Sequence, residues 1–194
     1  MTIPSTHLLI QTIILGLLVG GVYALMSSGL TLIFGVMRVI NVAHGAFLIL
    51  GAYLTYWLFQ LTGLDPILSI ALTAPVLFIL GWLFQRYALS RLQNAERNSV
   101  LITFALAVTM EGLMGTLWKT TLRSVKPEYA SQVIQFATYR IPFTRLLGFS
   151  AAIVVLLIIY LILLRTNLGR AIRATIQDRN AAQLVGVNVQ RWPP

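Results

Sequence analysis

Of 194 residues, 58% are hydrophobic and only 10% are charged. Soluble domains average about 45–50% apolar and roughly 25% charged residues, so a soluble globular fold is excluded and the bilayer becomes the solvent. The net charge of +9 would suit nucleic acid only on a solvated basic face. Here the cations sit between apolar stretches, which points to membrane lipids as the partner and not to nucleic acid.

The absence of cysteine removes disulfides, thiolate metal sites and a cysteine nucleophile. Met1 to His7 carries no Lys or Arg and no small-residue cleavage site follows. The first apolar stretch is therefore expected to stay in the mature protein.

Five apolar stretches follow in order. The first, Leu8 to Met37, would be roughly 45 Å long as a helix, against a hydrocarbon core of about 30 Å. It is expected to tilt, kink or end before Met37, with Gly20-Gly21 and Ser27-Ser28-Gly29 as weak points. The second, Gly45 to Leu61, is just long enough to span. A Gly/Asp/Pro turn leads to the third, Pro66 to Gln85, which holds Pro75. The fourth runs from Ser99 to Trp118 and the fifth from Leu146 to Leu164, an almost pure run of Leu, Ile, Val and Ala. Lys119 to Arg145 reads as a long mixed loop and Thr166 to Pro194 as a polar, arginine-rich tail. The predicted fold is all-α: a polytopic membrane protein with about five spans (8–37, 45–61, 66–85, 99–118, 146–164) and a polar segment outside the bilayer at 165–191, in one domain over 1–194.

With the first helix running outside to inside, the inner segments hold nine cations and the outer ones Lys119, Arg123, Lys126, Arg140 and Arg145. The excess places the C-terminal tail in the cytoplasm, with an inverted chain as the alternative.

Four groups of residues invite function. Gly16, Gly20, Ala24 and Ser28 recur every four residues, a ridge for close helix approach, either within the chain or at a subunit interface. Arg38 to Ala46 mixes Arg, Asn41 and His44 with aliphatic residues. Such polar groups at bilayer depth suit a buried break between helices or a half-helix; a short surface turn is the alternative. Glu111 is the one acid inside a span, either a structural acid or part of a polar path. Gly169 to Gly186 reads as an amphipathic helix, with Ile172, Ile176 and Leu184 apolar, Arg170 and Arg173 charged, and Gly186 a stop. A basic membrane-surface helix is the alternative there.

The stretch Gly20-Gly21-Val22-Tyr23-Ala24-Leu25, then Gly29 to Met37, then Ile40-Asn41-Val42-Ala43-His44-Gly45 and Gly51-Ala52-Tyr53 resembles the N-terminal signature of branched-chain amino-acid ABC permeases, in particular the smaller, H-type subunit. Many members carry Glu after His-Gly, where this chain has Ala46, so no carboxylate role passes to that position. Gly169-Arg170-Ala171-Ile172-Arg173-Ala174, Asp178 and Ala181-Ala182-x-x-x-Gly186 resemble the cytoplasmic loop with which ABC importers dock into their ATPase, with Asn180 in place of the usual Glu.

The resemblance implies a permease in the bacterial inner membrane, paired with a second permease subunit, two ATPase subunits and a periplasmic substrate-binding protein. Asn41, His44, Gly45 and Glu111 are then candidates for the path. Gly169, Arg170, Arg173, Asp178, Ala181, Ala182 and Gly186 are candidates for coupling. The chain lacks a Gly-x-x-x-x-Gly-Lys-Ser/Thr element, so it is not expected to hydrolyse ATP itself. His7 and His44 have no paired ligand spacing, so no metal, cofactor or enzymatic activity is expected. Family members continue beyond this loop with several more spans, so the chain is expected to be a truncated or frame-shifted permease. A urea or short-amide permease and a non-transporting remnant are the alternative readings.

Overall fold

The computed structural model describes residues 6–91, 95–119, 121–136, 138–178 and 183. Six α-helices dominate: α1 (Thr6–Met37), α2 (His44–Thr62), α3 (Pro66–Tyr87), α4 (Ala95–Trp118), α5 (Phe143–Arg165) and α6 (Asn167–Gln177). Five of them, α1 to α5, are long and apolar enough to cross a membrane. They show little one-sided amphipathicity because lipid surrounds them on most sides, whereas α6 is strongly amphipathic.

α1 runs unbroken for 32 residues, so it does not end at Gly20-Gly21 or at Ser27-Ser28-Gly29 as a weak-point argument expects. Glycine lowers helix propensity by about 1 kcal/mol, and in lipid an opened backbone costs more than that. The helix stops at Arg38, whose φ of +52° is left-handed and incompatible with another helical turn. At about 48 Å by length, α1 exceeds the hydrocarbon core, and the surplus projects or is taken up by tilt.

The α2–α3 connection is fixed by local chemistry. Gly63, at φ +69°, caps α2 with its N–H on the Phe59 carbonyl at 2.9 Å. The Asp65 carboxylate then accepts the Ile67 N–H at 2.8 Å and Pro66 opens α3, an N-cap followed by proline at the first helical position. α4 begins at Ala95 and α5 at Phe143, each a few residues before its apolar run. Helical hydrogen bonding does not stop where hydropathy does.

The predicted mixed loop at 119–145 contains elements its composition did not reveal. A short 3₁₀ turn, Glu128–Ser131, precedes an antiparallel hairpin of β1 (Val133–Phe136) and β2 (Tyr139–Pro142), with Gln135 opposite Arg140.

The chain divides into two compact units. One comprises residues 1–31 with 128–187 and holds most of α1, the hairpin, α5 and α6. There, Phe149 of α5 lies against the backbone of α1 at Gly21, where an added Cβ would meet the ring at 2.4 Å. The other holds the described residues of 32–127, with the end of α1 and α2 to α4. Its core is built on small residues: Ala43 and Ala46 meet Ala107 and Met114, with Phe47, Leu50, Tyr53 and Trp118 around them.

Candidate functional site

The segment 38–43 interrupts the helices between α1 and α2. Within it Val39 and Ala43 are buried and Asn41 is half-buried, whereas Arg38, Ile40 and Val42 are exposed on the chain's surface. Val39 is fully buried against Leu89, Met37 and Phe84, which anchors the segment in apolar packing.

A break in the helical ladder leaves backbone groups without helical partners, and they need acceptors and donors from elsewhere. Thr103 of α4 supplies them. Its hydroxyl accepts the Val42 N–H at 3.1 Å and donates to the Ser99 carbonyl at 2.7 Å, with the Ile40 carbonyl at 3.1 Å as a competing acceptor. Ser99 and Thr103 are both fully buried. One side chain thus ties the break to α4 across 61 residues of sequence. Thr103 was not among the expected site residues. The signal was the polar pair Ser99-x-x-x-Thr103 on one face of an apolar span.

Asn41, His44 and Gly45 lie together at this break. The His44 N–H closes a turn on the Asn41 carbonyl at 3.2 Å and His44 opens α2. Both side chains are half-buried and Gly45 is exposed. The Asn41 Oδ1 is buried and has no hydrogen-bond donor among the described residues. An unsatisfied buried acceptor is costly, of the order of 1–3 kcal/mol, and marks this as the polar point of the break. Ala46 is 2% exposed against Ala107 and Met114, a dry, narrow contact that offers an acid no partner.

Glu111 does not join this group. It lies eight residues beyond Thr103, about 12 Å along α4, and its side chain is exposed on the surface of the chain.

Among the described residues little covers the ridge: Gly16, Gly20 and Ala24 are exposed and Ser28 is half-buried. A Cβ on Gly16 or Gly20 would meet nothing within 4 Å, and Ala24 is exposed. Ser28 turns its hydroxyl onto the Leu25 carbonyl at 2.7 Å. The close approach belongs instead to Gly21, on the neighbouring face.

At the other end, α5 passes into α6 through one residue. The Thr166 hydroxyl donates to the Ile162 carbonyl at 2.6 Å and accepts the Gly169 N–H at 3.0 Å. Gly169 is buried in the corner, where a Cβ would lie 2.3 Å from the Leu163 carbonyl oxygen and 2.4 Å from that of Ile162. These are backbone atoms of α5 and cannot step aside. Arg170 and Arg173 are exposed, and Arg170 bonds Asn167. Ile172 is half-buried and Ile176 exposed, and Asp178 closes the helix in an extended conformation. Ala181, Ala182, Leu184 and Gly186 lie outside the described residues.

Three curated relatives bear directly on this geometry. The chain is 31% identical over 178 residues to the probable branched-chain amino acid transport permease protein LivH of Methanocaldococcus jannaschii, covering 86% of the chain and 55% of the relative. It is 26% identical over 199 residues to the high-affinity branched-chain amino acid transport system permease protein BraD of Pseudomonas aeruginosa, covering 95% and 64%. It is 23% identical over 203 residues to the LivH permease protein of Salmonella typhimurium, covering 94% and 63%. The chain therefore spans between half and two thirds of these relatives' lengths. No solved structure matches it.

Residues 12–192 match the family described as the permease component of branched-chain amino acid transport systems, and that match includes the break, α2 to α6 and all but the first turns of α1. With five helices of spanning length, the chain is a multi-pass membrane protein and belongs to this permease family.

Proposed function

We propose that the chain is the permease subunit, or part of it, of an ABC importer that carries branched-chain amino acids across a bacterial inner membrane. In this reading it pairs with a second permease subunit and two ATPase subunits and receives substrate from a periplasmic binding protein. Residues 1–194 belong to one transmembrane domain, with the tail in the cytoplasm. The chain's own work is mechanical and not catalytic.

The observation that carries the reading is the corner at Gly169. A spanning helix continues into an amphipathic helix with exposed arginines through one capped residue, so a displacement of α6 reaches α5 without slack. α6 would engage the ATPase through Arg170, Arg173 and Ile176, together with Ala181, Ala182 and Gly186. The break at Asn41–Gly45 would supply the polar groups of the path, since irregular backbone at membrane depth belongs where protein or a cavity surrounds it. The Gly16–Ser28 ridge, open on the chain's surface, would meet another subunit.

The test is uptake of labelled leucine by vesicles holding the chain with its ATPases and partner subunit, for wild type and Gly169→Ala. The variant is expected to reach the membrane and bind ATPase, yet lose most uptake. Full uptake by the variant would remove the coupling role. Uptake of urea in place of leucine by the wild type would overturn the substrate.

A further inference from the structure

Within the unit formed by α2, α3 and α4 lies a cleft of about 450 Å³ that none of the roles above uses. Ile49, Ala52, Tyr53 and Tyr56 form one wall, at the spacing that puts residues on a single helix face. Leu122 and Arg123, from the segment after α4, form the other. The cleft is polarised along its length. Its far end is aliphatic, and its near end carries a guanidinium.

That guanidinium is held in place. It stands 5.3 Å from the ring centres of both Tyr56 and Trp57, and it donates to the Trp118 carbonyl at 3.2 Å. Cation–π contacts on two rings fix its position but use none of its N–H donors, and the carbonyl takes one of five. Donors are thus in surplus at the near end. Residues 119–127 add Lys119 and Lys126 and contain no Asp or Glu. Leu122 next to Arg123 is fully exposed, at 105%. In a membrane protein an exposed leucine beside an anchored arginine, with Tyr53 stacked on Trp118 at 4.5 Å, marks the boundary between acyl chains and headgroups.

We propose that this cleft binds an anionic phospholipid, with its phosphodiester on Arg123 and one acyl chain along Ile49, Ala52 and Tyr56. Charge selects the occupant. A zwitterionic amino acid brings an ammonium group, for which the described residues lining the cleft offer a guanidinium and no carboxylate. A phospholipid of net negative charge matches both the cationic end and the aliphatic wall.

The probe is phosphatidylglycerol against phosphatidylcholine, with lipid retained by the purified chain counted by native mass spectrometry. Wild type is expected to keep phosphatidylglycerol in preference. Arg123→Gln should weaken its retention about fivefold to tenfold, while Lys119→Gln, the same charge lost outside the cleft, should change it by less than about twofold. Ala52→Trp, at an exposed position, should reduce retention with Arg123 intact by filling the acyl groove. Neither leucine nor inorganic phosphate should displace the lipid. Equal retention of the two lipids, an unchanged Arg123→Gln or Ala52→Trp, or equal losses in Arg123→Gln and Lys119→Gln would overturn the proposal. Displacement by leucine would make the cleft a substrate site, and displacement by phosphate a bare anion site; either overturns it.

Discussion

Gln11 and Arg140 lie 129 residues apart and pair as two strand residues would: the Gln11 Nε2 donates to the Arg140 carbonyl at 2.6 Å, and the Arg140 N–H donates to Gln11 Oε1 at 3.1 Å. The side-chain amide of α1 thus closes the outer edge of β2. His7, one turn earlier, stacks on Tyr139 at 4.9 Å and bonds the Thr138 carbonyl at 3.0 Å.

Gln11→Ala should release the hairpin while leaving the spans intact. Two exposed hydrogen bonds are lost, at about 0.5–1.5 kcal/mol each at most. Amide exchange at Arg140 should therefore speed up by about fivefold, and by no more than about 150-fold, with α5 unchanged. Unaltered protection at Arg140 would mean the hairpin holds without α1.

Thr103→Val keeps the shape of the side chain and removes its hydroxyl. The Val42 N–H then loses its acceptor inside the protein, at a cost of about 1–3 kcal/mol. Thr103→Ser should recover most of it. Thermal unfolding in detergent, read with exchange at Val42, separates the two variants; equal stability of all three proteins would show that the break does not depend on this hydroxyl.

Gly20 and Gly21 should respond oppositely. Gly21→Ala sets a Cβ 2.4 Å from the Phe149 ring, and the forced shift should destabilise the chain by about 1–3 kcal/mol. Gly20→Ala meets nothing within 4 Å and gains helix propensity of about 1 kcal/mol. Gly20→Leu should leave the isolated chain stable but prevent its assembly with a second permease chain, measured by co-purification. Undiminished assembly would free the ridge of any interface role.

Ala46→Glu should be poorly tolerated in this chain. A carboxylate there would be desolvated among Ala43, Ala107 and Met114, at a cost of several kcal/mol. Reduced membrane level and a lowered melting temperature are expected, with Ala46→Ser much milder. A stable Ala46→Glu protein would reveal an unrecognised partner or water near that position.

The spanning helices were legible because apolar runs of sufficient length have one stable state in lipid. Their ends were less so: the α5 start at Phe143 precedes Arg145, since a helix can carry a charge in its first turn. The break at Asn41–His44 announced itself by polar residues among aliphatic ones. Its fastening by Thr103 did not, because the partner is 61 residues away and threonine is unremarkable in a span. Which glycine packs was likewise hidden, since Gly20 and Gly21 differ only in the face they present. The hairpin escaped notice because its strands are four residues each and the sequence between them holds no Asn-Gly or Asp-Gly pair.

The joint between α5 and α6 has a further mechanical meaning. α5 is a rod of 23 residues, about 34 Å long. If the joint transmits rotation, a tilt of about 5° at the Thr166 end swings the Phe143 end through roughly 3 Å. That end is the start of the helix at Pro142, directly after the β2 strand that Gln11 holds. Under that condition a small turn at one end of α5 becomes a displacement of atomic size at the other, next to the strand that the amide of Gln11 holds through Arg140.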